Sequence, residues 1–482
     1  WHRLSVDDVV LPEGDLLVFG VGLGEAVLAG LQLGRDVVAW DRDPWLLRLL
    51  LMRHDVSRPL ASGRLTLSLG ADLLTVPPGL ATWKHPLLAG LYRNEADVFE
   101  QGLRERRALV AEGTLFVEDI ADALRDDGYS VWTWLVESTA GEELDRCARD
   151  FGAQVAFRVN HARGLAEACQ RLDLPLKVWE IDPATDALDR VNGDTSRTRV
   201  FTYRQAQVPL FQAANLQAEY LPLAANVQRR TPVEVDADHR SDVCFVGNST
   251  VERGRRCQQE VLAAWVLCHG GDLAAAAEGQ RHLEAWLGAQ SQDFSSCRVE
   301  EIIAATAPDF LETCRQGQHL PDPVPLVAEI AAADKRIQYV ANLGQLGVQV
   351  WGDVAWKAVE PYGAIYRGPA GHRDELTAIY SGSALQIDIG RLYQQDMITM
   401  RVFDAMACGA FVLAEYSDAL AEQFDIGVEL DAYRTLQELL DKAEHWLAHP
   451  DERAAIAEAG LRAVRERHSL RGRVAHMLAA DG

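Results

Sequence analysis

The chain has 482 residues, enough for about three domains that each bury a core of their own. A hydrophobic share of 48% with 24% charged residues is that of a globular protein, and no apolar run reaches the roughly 18 residues of a membrane span. The formal net charge of −24 argues against a broad nucleic-acid or anionic-membrane surface, although a local positive pocket can still hold a diphosphate.

Residues 1–92 open with a short apolar strand, Asp15 to Phe19, that runs into Gly20-Val21-Gly22-Leu23-Gly24. A helix is predicted over 25–33, then a strand over 37–40 that ends in Asp41. Strand, glycine turn, helix, strand, acid is the dinucleotide-binding order, in which the acid binds ribose hydroxyls. Gly20, Gly22, Gly24 and Asp41 are therefore the candidate ligand residues of this module. Residues 64–72 add a strand with an acidic loop. The module resembles the S-adenosylmethionine-dependent methyltransferase half-fold. It also resembles the N-terminal module of motility-associated (Maf-like) flagellin-modifying proteins. The first resemblance implies S-adenosylmethionine (SAM) as a ligand and a bifunctional chain, yet no Asn-Pro-Pro-Tyr-type catalytic loop is evident. A purely structural module is the alternative. Asp41-Arg42-Asp43 could instead be a metal-diphosphate Asp-x-Asp pair, but the glycine turn favours the first reading, and Pro44 suits the first position of a helix.

Residues 93–238 read as a second unit. A charged linking helix is predicted over 95–110. Strands follow over 113–117, 130–136, 154–159, 176–179, 198–203 and 219–222, with helices over 118–127 and 162–172 between them. Such alternation gives a parallel sheet covered on both faces. Asp119, His161 and Asp182 fall near strand ends and are the candidate general bases.

Residues 239–482 begin after a polar linker, 229–240. A strand over 242–246 leads into Gly247-Asn248, followed by Arg253, Arg255 and Arg256. Residues 257–335 have helical spacing and read as an insertion. Strands resume over 348–352, 365–369 and 384–389. Next comes Asp396-Met397-Ile398-Thr399-Met400-Arg401-Val402-Phe403-Asp404-Ala405-Met406-Ala407-Cys408-Gly409. Thr399 suits an N-cap, and Gly409 suits the position after the helix end. A helix start attracts phosphate, and a carboxylate one turn further in can accept sugar hydroxyls.

Asp396 and Asp404 resemble the acid-x7-acid signature in the donor domain of GT-B glycosyltransferases, with Asp where Glu is commoner. The segment is similar to the CgeB-like (spore-coat type) bacterial glycosyltransferases, which carry an Arg-x-Phe-Glu-Ala-x-Ala-Cys-Gly core and a His-Pro-x-Glu-Arg tail. His449-Pro450-Asp451-Glu452-Arg453 matches that tail, and Phe245 to Arg253 matches the family's Phe-x-Gly-Asn-x-x-x-x-Arg element. Trp179 to Pro183 resembles a strand-end Trp-Asp-Pro element of the same relatives.

The resemblance implies an α/β fold of GT-B type, with two facing Rossmann-like domains (93–238 and 239–482) after the extra N-terminal module. It implies metal-independent hexosyl or N-acetylhexosaminyl transfer from a nucleotide sugar, UDP-linked foremost, with no cofactor required. The acceptor would be a protein, such as flagellin, or a surface glycan. By resemblance, Gly247, Asn248, Arg253, Ile398, Thr399 and Arg401 attend the diphosphate, and Asp404 the ribose. Asp396 faces the donor sugar or the pyrophosphate, and Gly368, Pro369 and Gly371 run past the base. An inverting enzyme would need one of Asp119, His161 or Asp182. A GT-B-fold protein that binds without catalysis is the remaining alternative. Eight scattered cysteines, no Cys-x-x-Cys and no evident leader read as a cytoplasmic protein with reduced thiols and no metal.

Overall fold

The computed structural model describes residues 9–77, 79–113, 115–134, 141–182, 188, 191, 195–317, 319–371 and 374–480. The chain divides into two compact units, Trp1–Leu221 with Val474–Gly482, and Pro222–Arg473. Among the described residues there are three sheets, and every strand pair in them is parallel.

The first unit holds two sheets. One consists of β1 (Leu16–Phe19), β2 (Val37–Asp41), β3 (Leu65–Leu69) and β4 (Ala81–Lys84), in the order β3-β2-β1-β4. The other consists of β5 (Arg106–Ala111), β6 (Tyr129–Trp134), β7 (Val155–Val159), β8 (Leu176–Glu180), β9 (Thr198–Thr202) and β10 (Gln217–Tyr220). Its order, β10-β9-β8-β7-β5-β6, is the flavodoxin-like pattern with one strand added. The strands are short apolar runs, and β1 and β8 are buried at every position, as a sheet covered on both faces requires.

The second unit holds β11 (Ser241–Val246), β12 (Gln349–Trp351), β13 (Ile365–Gly368), β14 (Ser383–Ile387), β15 (Phe411–Glu415) and β16 (Asp431–Tyr433). The order β13-β12-β11-β14-β15-β16 is that of a full dinucleotide-binding sheet. The helical insertion falls between β11 and β12, as helices Val251–Cys268, Leu273–Gln290, Val299–Thr306, Pro308–Gln316 and Pro323–Leu343. It packs a core of its own around Trp265, Trp286 and Phe310. The expected α/β class with parallel, Rossmann-like sheets is thus present. Among the described residues no helix is long and apolar enough to cross a membrane.

Three element assignments need correction. Residues 95–110 are not one helix: a helix ends at Gln101, Gly102 follows with φ 79°, and β5 starts at Arg106. The left-handed glycine and the apolar run after it outweigh the charge spacing that signalled a helix. The strand predicted over 113–117 is therefore displaced upstream to β5, and Asp119 lies past its end, in the first turn of the helix Val117–Asp126. The strand expected over 219–222 is β10, Gln217–Tyr220. Pro183 and residues 135–136 lie outside the described residues.

Candidate functional site

In the third sheet the chain lays β12 and β13 to one side of β11 and β14 to β16 to the other. The reversal falls between β11 and β14, and in open parallel sheets ligands bind at the carboxyl ends of such a pair. The residues just beyond β11 and β14, and the start of the helix Met400–Ala407, define the candidate site.

Arg401 is the centre of it. Its Nε donates to the carbonyl of Val246, its Nη1 donates to Asp388 Oδ1, and its guanidinium lies 4.7 Å from the Phe245 ring centre. A Cβ on Gly247 would sit 2.6 Å from Arg401 Nη2, so the glycine lets the guanidinium cross the end of β11. Gly352 is tighter still, since a Cβ there would lie 2.2 Å from the carbonyl oxygen of Gly247. That oxygen accepts from Trp356 Nε1 at 2.7 Å.

Thr399 occupies the N-cap position, but its side chain makes no capping bond. The hydroxyl donates to Asp388 Oδ1 at 2.6 Å instead. This corrects the expected capping role. The first amides of Met400–Ala407 have no intrahelical acceptor by position, so they and the helix dipole favour an anion. Ile398 is buried and can offer only its backbone. Gly409 follows the helix with φ 81°, as expected.

Arg336, from the helix Pro323–Leu343, was not foreseen. It is buried and donates to the carbonyls of Asn248 at 2.8 Å and Ile389 at 3.2 Å. Burial first, then the charges of Arg401 and Arg391, bring its guanidinium down to about 10. The sequence signal was the Lys335-Arg336 pair within a helix whose other charged residues are acids, Glu329 and Asp334. Lys335 is also buried and pairs with Glu415 Oε1, while Glu415 Oε2 accepts from the amide of Gly390 at 3.1 Å. Burial raises the Glu415 pKa, and Lys335 pulls it back. A small hollow of about 30 Å³ lies among Asp388, Gly390, Arg391, Thr399 and Glu415.

Arg253 is half exposed at the start of the helix Val251–Cys268, and its Nε lies 2.7 Å from Glu329 Oε1. Glu329 also receives Arg391, at 3.5 Å, and the Tyr393 hydroxyl, so it ties Arg253 to Arg391. Arg255 is exposed and lies 3.6 Å from Glu252. Asp396 is half-buried in the loop before the helix Met400–Ala407. Gly368 ends β13 with φ 101°, and its carbonyl accepts from the Gly352 amide at 2.8 Å. Pro369 and Gly371 are exposed, and the Gly371 amide donates to Glu375 at 2.6 Å. Asp404 is buried, and its Oδ2 accepts from Arg230 Nε at 3.2 Å. Arg230 Nη1 also donates to Thr377 Oγ1 at 2.9 Å. By sequence alone Arg230 belongs to the polar linker 229–240.

In the first unit, the second sheet reverses between β5 and β7, and Asn160 follows β7 with φ 58°. Its side chain accepts from the Ile181 amide at 2.9 Å and donates to Asp182 Oδ2 at 2.7 Å. Asp182 is exposed. His161 is buried, with Nδ1 3.5 Å from Glu180 Oε1. Asp119 is half-buried. Of the three candidate bases, Asp182 is the most open to solvent.

The N-terminal glycine turn is filled by its own chain. Gly20, Gly22 and Gly24 have φ of 82°, 57° and 98°. A Cβ on Gly22 would lie 2.6 Å from His85 Nε2, and one on Gly24 would lie 2.4 Å from Leu50. Asp41 is fully buried; it accepts from the Val21 amide at 2.8 Å, Tyr92 OH at 2.6 Å and the Asp43 amide at 3.0 Å. The acid expected to hold a ribose is thus spent on the turn itself. Asp43 caps the helix Pro44–Arg53 through the Trp45 amide, and Pro44 is its first residue as expected.

Residues 334–479 match a family described as Glycosyl transferase-like. The match contains β12 to β16, Arg336, Asp388 and Arg401. No curated protein matches the chain in sequence. Among solved structures, HepE of Anabaena in complex with UDP and glucose is 12% identical with a TM-score of 0.44, over 78% of this chain and 99% of that one. A glycosyltransferase from Rickettsia africae is 10% identical with a TM-score of 0.41, over 78% and 97%. A UDP-forming trehalose-phosphate synthase from Burkholderia xenovorans is 12% identical with a TM-score of 0.35, over 97% and 98%. Likeness at this level decides nothing about substrate.

Proposed function

We propose that the chain is a glycosyltransferase that moves a sugar from a nucleotide-sugar donor, UDP-linked foremost, to a protein or surface-glycan acceptor. The observation that carries the reading is the convergence of Arg401, Thr399 and Asp388 at the β11/β14 reversal, inside the segment that matches a Glycosyl transferase-like family.

Transfer breaks the bond between the anomeric carbon and the diphosphate oxygen. Negative charge builds on the leaving phosphate and positive charge on the sugar. Arg401, with Arg391 and the first amides of Met400–Ala407, supplies fixed donors for the phosphate, the arrangement that stabilises such a transition state. Asp388 holds Arg401 in place, and Arg336 anchors the loops after β11 and β14 through their carbonyls. Positive charge from arginines makes a metal unnecessary in this reading. Gly247 and Asn248 frame the phosphates, and Arg253 attends them through the Glu329 link. Gly368, Pro369 and Gly371 border the base, and Asp396 faces the sugar. Asp404 binds the ribose once its contact with Arg230 is shared. Residues 93–238 hold the acceptor, and Asp182, set by Asn160, is the base if the reaction inverts.

The test is release of UDP from UDP-sugars in the presence of a chelator. The wild-type chain releases UDP, and Arg401→Ala lowers the rate by about a hundredfold, the scale of losing one charge-stabilising donor. Release equal in both would remove Arg401 from the site; no release from any UDP-, GDP-, CMP- or dTDP-sugar would contradict transfer.

A further inference from the structure

The helix Pro44–Arg53 is apolar on two sides. Leu47 and Leu50 face the core. Trp45, Leu49 and Met52, at helical spacing on the opposite side, face solvent with exposures of 55%, 38% and 71%, and Leu51 beside them is 45% exposed. A surface helix normally turns charged residues outward. Here the outward stripe is apolar, with Arg48 in its middle and its guanidinium 4.9 Å from the Trp45 ring centre. A groove of about 460 Å³ continues this surface between the helix and the segment Ser57–Ala61, lined by Leu51, Met52, Val56 and Leu60 together with Arg53 and His54.

The charge here runs against that of the whole chain, which is −24. From Trp45 to Arg58 the exposed ions are Arg48, Arg53, Arg58 and one acid, Asp55. Asp55 accepts from the amide and hydroxyl of Ser57. Asp43, at the helix start, is engaged by the Trp45 amide at 2.9 Å. These bonds leave both carboxylates charged, yet the three arginines outnumber Asp55, so the stripe is an apolar face with an indole and a rim of net positive charge.

We propose that this face docks the chain on an anionic lipid surface, with Trp45, Leu49 and Met52 entering the interface and Arg48, Arg53 and Arg58 meeting the headgroups. Trp has an apolar ring with a polar N–H and suits that boundary, and arginine can lay its stem on apolar surface while its head stays with phosphate. A two-fold contact between copies fits less well, because it would bring the arginines of one copy close to those of the other. The charge of the rest of the chain repels such a membrane, which confines contact to this face.

The test is flotation of the full chain with vesicles of phosphatidylcholine and phosphatidylglycerol in equal parts, and with phosphatidylcholine alone, at low and physiological salt. The wild-type chain floats with the anionic vesicles only, and less at higher salt. Trp45→Ala with Met52→Ala lowers the bound fraction, and separately Arg48→Glu with Arg53→Glu lowers it at least about twenty-five-fold, as each basic residue near such a surface is worth about fivefold. All these residues are exposed, so melting temperatures stay at the wild-type value and serve as the folding control. No flotation by the wild-type chain, or equal flotation by the variants, overturns the proposal. So does a dimer in sedimentation that Met52→Glu converts to monomer, since the face would then be covered by a second copy.

Discussion

Thr399 and Asp388 are joined by a hydrogen bond of 2.6 Å, and the same carboxylate oxygen of Asp388 receives Arg401. One acid at the end of β14 therefore fixes both the entry to the helix Met400–Ala407 and the guanidinium that crosses β11. Removing it should act on stability and on ligand affinity together. Asp388→Ala is expected to cost about 3 kcal/mol, the scale for breaking a buried pair. Donor affinity should fall at least about tenfold as Arg401 loses its register. Asp388→Asn keeps an acceptor for Thr399 and should recover most of the stability but not the affinity. Urea unfolding and calorimetry measure the two. An Asp388→Ala chain with wild-type affinity would mean that Arg401 needs no such support.

Arg230 and Asp404 set a second test, because Asp404 has two roles to separate. Asp404→Ala takes the carboxylate from a buried guanidinium and should destabilise by about 3 kcal/mol. Asp404→Asn leaves an oxygen for Arg230 and should cost less than half of that. If Asp404 also binds ribose, Asp404→Asn weakens binding of UDP more than it weakens binding of inorganic pyrophosphate. Equal loss for both ligands would confine Asp404 to the Arg230 contact.

His468 gives a pH dependence. It packs against Phe403 and Phe424, with ring centres 5.6 and 4.6 Å away. Its Nδ1 lies 3.0 Å from Arg473 Nη2 and its Nε2 lies 3.2 Å from the carbonyl of Gln423, a pattern that suits a neutral ring. Burial first, then Arg473, brings its pKa down to about 4. The unfolded chain takes up this proton near pH 6.5 and the folded chain resists it, so the contribution is full above that pH and is lost as pH falls towards 4. Its size is on the order of 2 kcal/mol. Melting of wild type and His468→Gln from pH 7 to pH 4.5 should show a shallower fall in the variant; parallel curves would contradict this.

The N-terminal turn is expected to be structural. Gly22→Ala places a methyl group at φ 57° and 2.6 Å from His85, and should destabilise by about 1–3 kcal/mol. S-adenosylmethionine should neither raise the melting temperature of the wild-type chain nor give heat in calorimetry. A saturable rise would show that His85 and Leu50 move aside for a ligand.

Strands and their parallel pairing were legible because a sheet covered on both faces leaves short apolar runs, such as Leu16–Phe19 and Phe411–Glu415. The helix after Thr399 was legible from its apolar face and Gly409. Arg336 was not, because its place in the site depends on a 21-residue helix returning to the sheet after a long insertion. Arg230 was hidden for a related reason: a polar linker reads as solvated until a distant acid, Asp404, is seen to receive it. Asp41 misled in the opposite direction. A glycine turn followed by an acid is the same sequence whether the acid meets a ribose or closes on Val21, Asp43 and Tyr92. Register was misjudged near residue 110, where charge spacing imitates a helix and only Gly102 marks the break.

The most direct measurement is calorimetric titration of UDP into the full chain and into Arg401→Ala, with Asp182→Ala as the comparison in the other unit. A diphosphate seated at the β11/β14 reversal predicts saturable binding by the wild-type chain, at least about tenfold weaker binding by Arg401→Ala and unchanged binding by Asp182→Ala. Equal affinity for UDP in the wild-type and Arg401→Ala chains would contradict it.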